Sequence, residues 1–301
     1  MSVLRVCEVG PRDGLQNQTR HFSVDERIEL IDRLTGTTPA AVEAVSFVND
    51  RRVPRMAGAE EILDRIARPS GVDIAALVLN GRGVTRALEC ELDEIRFAVS
   101  ATDAFNLRNV NAPVSSTVDD FRASARAIRD RDIRLTAIIA VAFGCPFSGV
   151  VAADAVIELA GELAAAGAEE ILLADTIGCG VPSQVSVLLA GVAQVAPGIP
   201  LGVHLHNTRN TGYANAVAAV SAGATTLDSS VGGLGGCPFA PNATGNIATE
   251  DLCFMLRNMG IETGVRLPAL LDVVGWLGKV VPDEITGQLA RAGLFPEVAG
   301  E

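Results

Sequence analysis

Lysine is almost missing from this chain: of its 24 basic residues only Lys279 is a lysine. A carbonyl chemistry built on a lysine Schiff base, or on a carboxylated lysine, would have to use that one side chain. It sits in a late helical pattern, Leu270 to Val280, after the repeating part of the chain has ended. Aromatics are also scarce, 4% against 49% hydrophobic overall, so the core is built from Val, Ile, Leu and Ala, as in tightly packed α/β proteins. No apolar run approaches the ~18 residues of a membrane span. Paired CxxC motifs are absent; six scattered cysteines suggest reduced thiols in a cytoplasmic protein rather than a disulfide framework. Met1-Ser2-Val3-Leu4-Arg5 leads straight into a strand-like run, with no signal-peptide pattern. A net charge of −12 argues against nucleic acid and anionic membrane as partners, but not against a small anionic substrate, which feels the local field.

What the 301 residues do contain is a strand–helix alternation repeated eight times. Strand-like runs fall at Leu4–Val9, Val42–Phe47, Val72–Leu79, Glu94–Ser100, Arg134–Phe143, Glu170–Ala174, Leu201–His206 and Thr225–Val231. Helical patterns follow each, from Val24–Leu34, with Ser23 as N-cap, to Ala248–Met259; a longer polar loop runs through Asn111 before a helix at Val118–Arg131. Eight such units in about 250 residues predict an α/β fold, a closed (β/α)8 TIM barrel. A doubly wound open sheet uses the same units, but the count of eight and the lack of an interrupting domain favour the barrel. The expected organisation is a catalytic barrel over 1–260, with 261–301 as a C-terminal helical extension packed on it.

Two of the three histidines, His204 and His206, lie two residues apart in the seventh predicted strand. Alternation puts them on one face, with Val203 and Leu205 on the other, so the two imidazoles can converge on one metal ion. The pattern alone fits equally well a pair of hydrogen-bonded histidines at a strand end. Barrel active sites lie at the C-terminal ends of the strands. There the chain also places Arg12-Asp13-Gly14 and Gln16, then Glu43 and Ser46, then Asp175-Thr176. A Gly232 to Pro238 loop with Cys237 and an Asn242 to Asn246 run follow the eighth strand. Each has a plainer explanation: Asp-Gly as a turn, Asp175 as a helix cap, Cys237 as a small buried residue. Together they put a carboxylate, two imidazoles, a carboxamide, an arginine and a thiol on one rim.

In these motifs the chain resembles the HMG-CoA lyase family, within the larger group of metal-dependent barrel lyases and Claisen-type synthases. The resemblance runs from about Val6 to Val265. It rests on the run Val9 to Asn17 (VGPRDGLQN), Gly144-Cys-Pro-Phe147, Asp175-Thr-Ile-Gly178, His204-x-His206, Gly233-Leu-Gly-Gly-Cys-Pro-Phe-Ala240 and the run Thr244 to Asp251. It implies that Asp13, His204, His206 and Asn246 bind a divalent cation, Mg²⁺ or Mn²⁺ with Zn²⁺ as a further option. It implies that Arg12 stabilises enolate charge, that Cys237 donates a proton from a mobile loop, and that Glu43 and Asp175 are supporting acids, Asp175 near the substrate hydroxyl. The implied reaction is retro-Claisen cleavage of a 3-hydroxy-3-methylglutaryl-CoA-like thioester, and the family suggests a homodimer.

One departure stands out. Where the usual family members continue after the second histidine with Asp and then Thr-Tyr-Gly-Gln, this chain has Asn207-Thr208-Arg209-Asn210. That changes the local charge by about two units at neutral pH, and with Gln16 and Thr176 it makes Asn207 and Arg209 candidate substrate contacts. A related carboxylated 3-hydroxyacyl-CoA is therefore an alternative substrate. A condensing synthase of the same group, and a catalytically silent binding barrel, are alternative functions.

Overall fold

A computed structural model describes residues 3–236 and 245–294. Its eight strands are β1 (Arg5–Glu8), β2 (Ala41–Ser46), β3 (Asp73–Val78), β4 (Glu94–Ser100), β5 (Arg134–Ala140), β6 (Glu170–Asp175), β7 (Leu201–Leu205) and β8 (Thr226–Ser229). They pair in chain order, all parallel, and β8 closes onto β1 with Arg5 opposite Thr226 and Glu8 opposite Ser229. This is the expected (β/α)8 barrel, and the open sheet is excluded by the closing pair.

The surrounding helices are α1 (Val24–Thr35), α2 (Ala59–Arg65), α3 (Gly81–Ala87), α4 (Asp103–Val110), α5 (Val114–Arg129), α6 (Ala153–Ala166), α7 (Pro182–Val195), α8 (Gly212–Ser221) and α9 (Thr249–Asn258). Ser23 caps α1 as predicted, in a reciprocal box: its hydroxyl accepts the Glu26 N–H, and the Glu26 carboxylate accepts the Ser23 N–H. The stretch expected to be a polar loop before Asn111 is instead α4. The Thr102 hydroxyl caps it by accepting the Phe105 N–H, and Asn111 ends it in the left-handed conformation, φ 59°. The Asp103 carboxylate also accepts the Val114 N–H at 2.7 Å, so α5 starts four residues earlier than its apolar pattern suggested.

The main core lies between the strands and their helices. Val203 and Leu205 of β7 point into it, fully buried, and each such side chain stabilises the fold by roughly 1.5–3 kcal/mol. The opposite face of each strand looks into the barrel, and that interior is divided. Leu77, Ile138, Leu172 and Ala174 fill one side, whereas ionised groups of β1, β2, β4 and β8 fill the other. After α9 the chain adds α10 (Leu267–Val280), which shares a buried cluster with Leu30 and Leu34 of α1 and with Val231 and Leu234 of the turn after β8.

Candidate metal and catalytic site

The strand ends converge as barrel geometry requires. Asp13 comes from a tight π-helical turn, Gly10–Gly14, which follows β1; three successive N–H groups, from Arg12 to Gly14, point back at the Val9 carbonyl. Gly10 and Gly14 are required there: a Cβ on Gly10 would meet a Glu8 carboxylate oxygen at 2.7 Å, and one on Gly14 the Ser230 hydroxyl at 2.8 Å. His204 and His206 project from the end of β7, both buried. Ligand atoms of Asp13, His204 and His206 lie within 4.8 Å of one another.

The imidazoles are oriented for a common guest. The His204 and His206 Nε2 atoms face each other at 3.1 Å, with Asp13 Oδ2 at 4.0 and 3.7 Å from them. Asp228 of β8 accepts a hydrogen bond from His204 Nδ1 at 3.1 Å, which leaves the Nε2 lone pair turned inward. Asn246 is brought in by an antiparallel bridge with His206, next to Asn207 N–H donating to the Gly245 carbonyl. Its amide donates to Asp13 Oδ2 at 2.8 Å, and its buried Oδ1 has no partner. Burial pushes the Asp13 carboxyl up, but Arg12 and the two imidazoles outweigh this and hold it well below the usual carboxylate range. Burial likewise disfavours the His204 imidazolium, but Asp228 and Asp13 overcome it and raise the ring's affinity for a proton. A carboxylate, two inward imidazole nitrogens and an orphaned carboxamide oxygen suit a divalent cation, which would displace that proton.

Arg12 is 7% exposed and held from two sides: its Nε donates to Glu43 and its Nη1 to Asp13 Oδ1 at 2.6 Å. Among the described residues its Nη2 has no acceptor. The other Glu43 oxygen accepts from Arg96 of β4 at 3.0 Å. Arg96 and Asp228, both buried, are the site residues that sequence reasoning missed. The signal was there: Glu94-Ile-Arg96 and Thr226-Leu-Asp228 alternate charged or polar with apolar inside strands that a barrel buries on both faces.

Four of the remaining expected residues, Asp175, Thr176, Asn207 and Arg209, have hydrogen-bond partners of their own. Asp175 accepts the Cys179 and Gly180 N–H groups at 2.8 and 2.9 Å, organising the turn before α7. The Thr176 hydroxyl accepts the Val141 N–H. Asn207 accepts the Gly212 N–H at the start of α8. Arg209 Nη1 donates to the carbonyls of Ile177 and Gly178, both at 2.9 Å, so it ties the loop after β7 to the loop after β6. Gln16 is half-buried just beyond the π-turn. Cys237 lies outside the described residues.

Comparison with known proteins places the chain in a family. The family model HMGL-like matches residues 3–275. The chain belongs to that family. It is 40% identical over 295 residues to the hydroxymethylglutaryl-CoA lyase of Pseudomonas mevalonii, covering 98% of this chain and 97% of that one. It is 38% identical over 310 residues to the (R)-citramalyl-CoA lyase of Chloroflexus aurantiacus, with 99% and 98% covered. Among solved structures, an HMG-CoA lyase of Acinetobacter baumannii in complex with coenzyme A and 3-methylmalate superposes with a TM-score of 0.92 at 35% identity, covering 98% of both chains. The chain is thus a CoA-thioester lyase of the HMGL-like family, and families of this kind depend on a metal. No helix among the described residues is long and apolar enough to cross a membrane.

Proposed function

We propose that this lyase cleaves a 3-hydroxy-3-methyl acyl-CoA bearing a distal carboxylate, with a divalent cation held by Asp13, His204, His206 and Asn246. The observation that carries this reading is the convergence of ligand atoms of Asp13, His204 and His206, with the Asn246 amide hydrogen-bonded to Asp13 and its buried Oδ1 unpartnered. A bound Mg²⁺ or Mn²⁺ supplies Lewis acidity to the substrate's hydroxyl and carboxylate oxygens. The chain's own groups do the rest. The C3 hydroxyl gives its proton to a base in this cluster, for which the Asp13 carboxylate is the candidate, since both nitrogens of His204 are committed, Nδ1 to Asp228 and Nε2 to the cation. The C2–C3 bond then breaks and its electron pair passes to the thioester as an enolate. Arg12, permanently charged and clamped by Glu43 and Asp13, presents its remaining N–H edge to that enolate oxygen. The Cys237 thiol returns a proton to C2, completing acetyl-CoA, while the C3 fragment leaves as a keto acid. Asp175, Thr176, Asn207 and Arg209 act by fixing the loops that line the substrate.

Both relatives named above fit the substrate class, and two thioesters separate them. The purified protein with Mg²⁺ or Mn²⁺ is incubated with HMG-CoA and with citramalyl-CoA, and acetyl-CoA, acetoacetate and pyruvate are measured. Acetyl-CoA release that stops with EDTA and returns with added metal is the expected result. Cleavage of neither thioester by the metal-loaded protein, or cleavage indifferent to EDTA, would overturn the reading. Release of free CoA from acetyl-CoA plus a keto acid, without cleavage, would make the chain a synthase instead.

A further inference from the structure

The charged groups inside the barrel form a closed circuit. Arg96 Nη1 and Nη2 grip Asp228 at 3.1 and 2.7 Å, and Asp228 holds His204 at 3.1 Å. In the other direction Arg96 Nη1 donates to Glu43 at 3.0 Å, Glu43 holds Arg12, and Arg12 holds Asp13 at 2.6 Å. The two arms meet where Asp13 faces His204 at 4.0 Å. Five elements contribute: β4, β2, the turn after β1, β7 and β8. Arg96 is only 1% exposed and has no route to substrate. Its Nε is anchored from below by Glu94 of its own strand, at 3.0 Å.

We propose that Arg96 is a positioning residue that sets the cation site through Asp228 and His204 and, separately, the enolate-binding Arg12 through Glu43. This rests on the reading above. One planar guanidinium makes three contacts in the two arms, two to Asp228 and one to Glu43, and a fourth to Glu94 that anchors it. An ammonium in its place has three donors in a tetrahedral arrangement and cannot grip Asp228 with two parallel bonds while also reaching Glu43 and Glu94. The Asp228 grip matters for the cation because Asp228 alone selects the His204 tautomer whose Nε2 points inward. The circuit also explains why charge is buried here at all. Among the described residues, the guanidiniums of Arg5, Arg12, Arg96 and Arg134 are paired with the carboxylates of Asp13, Glu43, Asp73, Glu94 and Asp228.

The test is Mn²⁺ affinity, measured by calorimetry or electron paramagnetic resonance without substrate, beside kcat and KM. Arg96→Lys and Asp228→Asn are expected to fold, as judged by circular dichroism, and to bind Mn²⁺ about 10–100-fold more weakly. Arg96→Lys should also lower kcat at saturating Mn²⁺ with KM within about twofold, and Arg96→Met should be worse than Arg96→Lys. Arg27→Met removes a comparably buried arginine that lies outside the circuit and donates to the Ala57 carbonyl. It should leave Mn²⁺ affinity unchanged. Wild-type Mn²⁺ affinity in both folded variants overturns the proposal while leaving the proposed activity standing. Loss of fold in both makes the circuit a matter of stability alone and also overturns it. A wild-type protein that neither binds Mn²⁺ nor cleaves the thioesters removes the underlying reading, and this inference with it.

Discussion

At the scale of single residues, the site separates groups that hold the cation from a group that holds the product's charge. Arg12 touches Asp13 but offers no ligand atom, so its removal should spare the cation and damage the chemistry. Arg12→Gln is expected to lower kcat by about 10³-fold or more, comparable to removing a preorganised oxyanion donor, with Mn²⁺ affinity within a few-fold of wild type. Asp13→Asn should do the reverse first, since it removes the only carboxylate in the donor set. If Arg12→Gln left kcat intact, the enolate would have to be stabilised by something else in the barrel. Cys237 makes a parallel case: Cys237→Ser should lose turnover about 10²-fold or more, in the range of a lost general acid, while Mn²⁺ titration stays as in wild type.

At the scale of elements, what was readable and what was not follows from periodicity. The eight strands were legible because each is a short apolar run fixed by alternation; Glu94–Ser100 and the helix Ala153–Ala166 came out with the same ends. The helix α4 was missed because its composition, DAFNLRNV, buries only Phe105 and Asn106 and so carries almost no apolar stripe; its Thr102 cap and Asn111 terminus were the better signals. The candidate metal triad Asp13, His204 and His206 was legible because these residues stand in short motifs. The inner partners Arg96 and Asp228 were not, since a charged residue in a strand looks like a solvent-facing position until the barrel closes around it. For Arg209 the sequence shows the charge but not the two carbonyls that accept from its Nη1. The loop after β8 yields an element-scale prediction. Gly235 has φ 128°, and a Cβ there would lie 2.6 Å from Asn246 Nδ2 and 3.6 Å from Asp13 Oδ2. Gly235→Ala should therefore push the carboxamide out of the donor set and weaken Mn²⁺ binding about tenfold or more, beyond the roughly 1–3 kcal/mol of backbone strain it adds. A variant that lost stability but bound Mn²⁺ normally would show that this loop does not shape the site.

At the scale of the whole molecule, the seam where β8 closes onto β1 is sealed by two buried acids that flank one turn. Glu8 accepts the Gly10 and Val231 N–H groups and the Thr249 hydroxyl, while Glu250 accepts the Gly232 N–H and has a second oxygen without a partner. Burial pushes the Glu8 carboxyl up to about 7 and the Glu250 carboxyl up to about 8. The ordinary value of a glutamate is 4.5, so between that pH and about 8 the unfolded chain has released the Glu250 proton while the folded chain retains it. The unfolded state then binds fewer protons, and stability falls as pH rises through the window, by up to about 1.4 kcal/mol per pH unit for each group. Below the window both states are protonated and the cost vanishes. Glu250→Gln keeps an acceptor for the Gly232 N–H and removes the ionisation. Its melting temperature should match wild type within about 2 °C at pH 5 and exceed it by about 5 °C or more at pH 8.5, measured by scanning calorimetry in EDTA so that cation binding does not contribute. An offset between the two proteins that stays constant from pH 5 to 8.5 would mean that Glu250 is already ionised in the fold, and that the seam pays for a buried charge rather than keeping a proton.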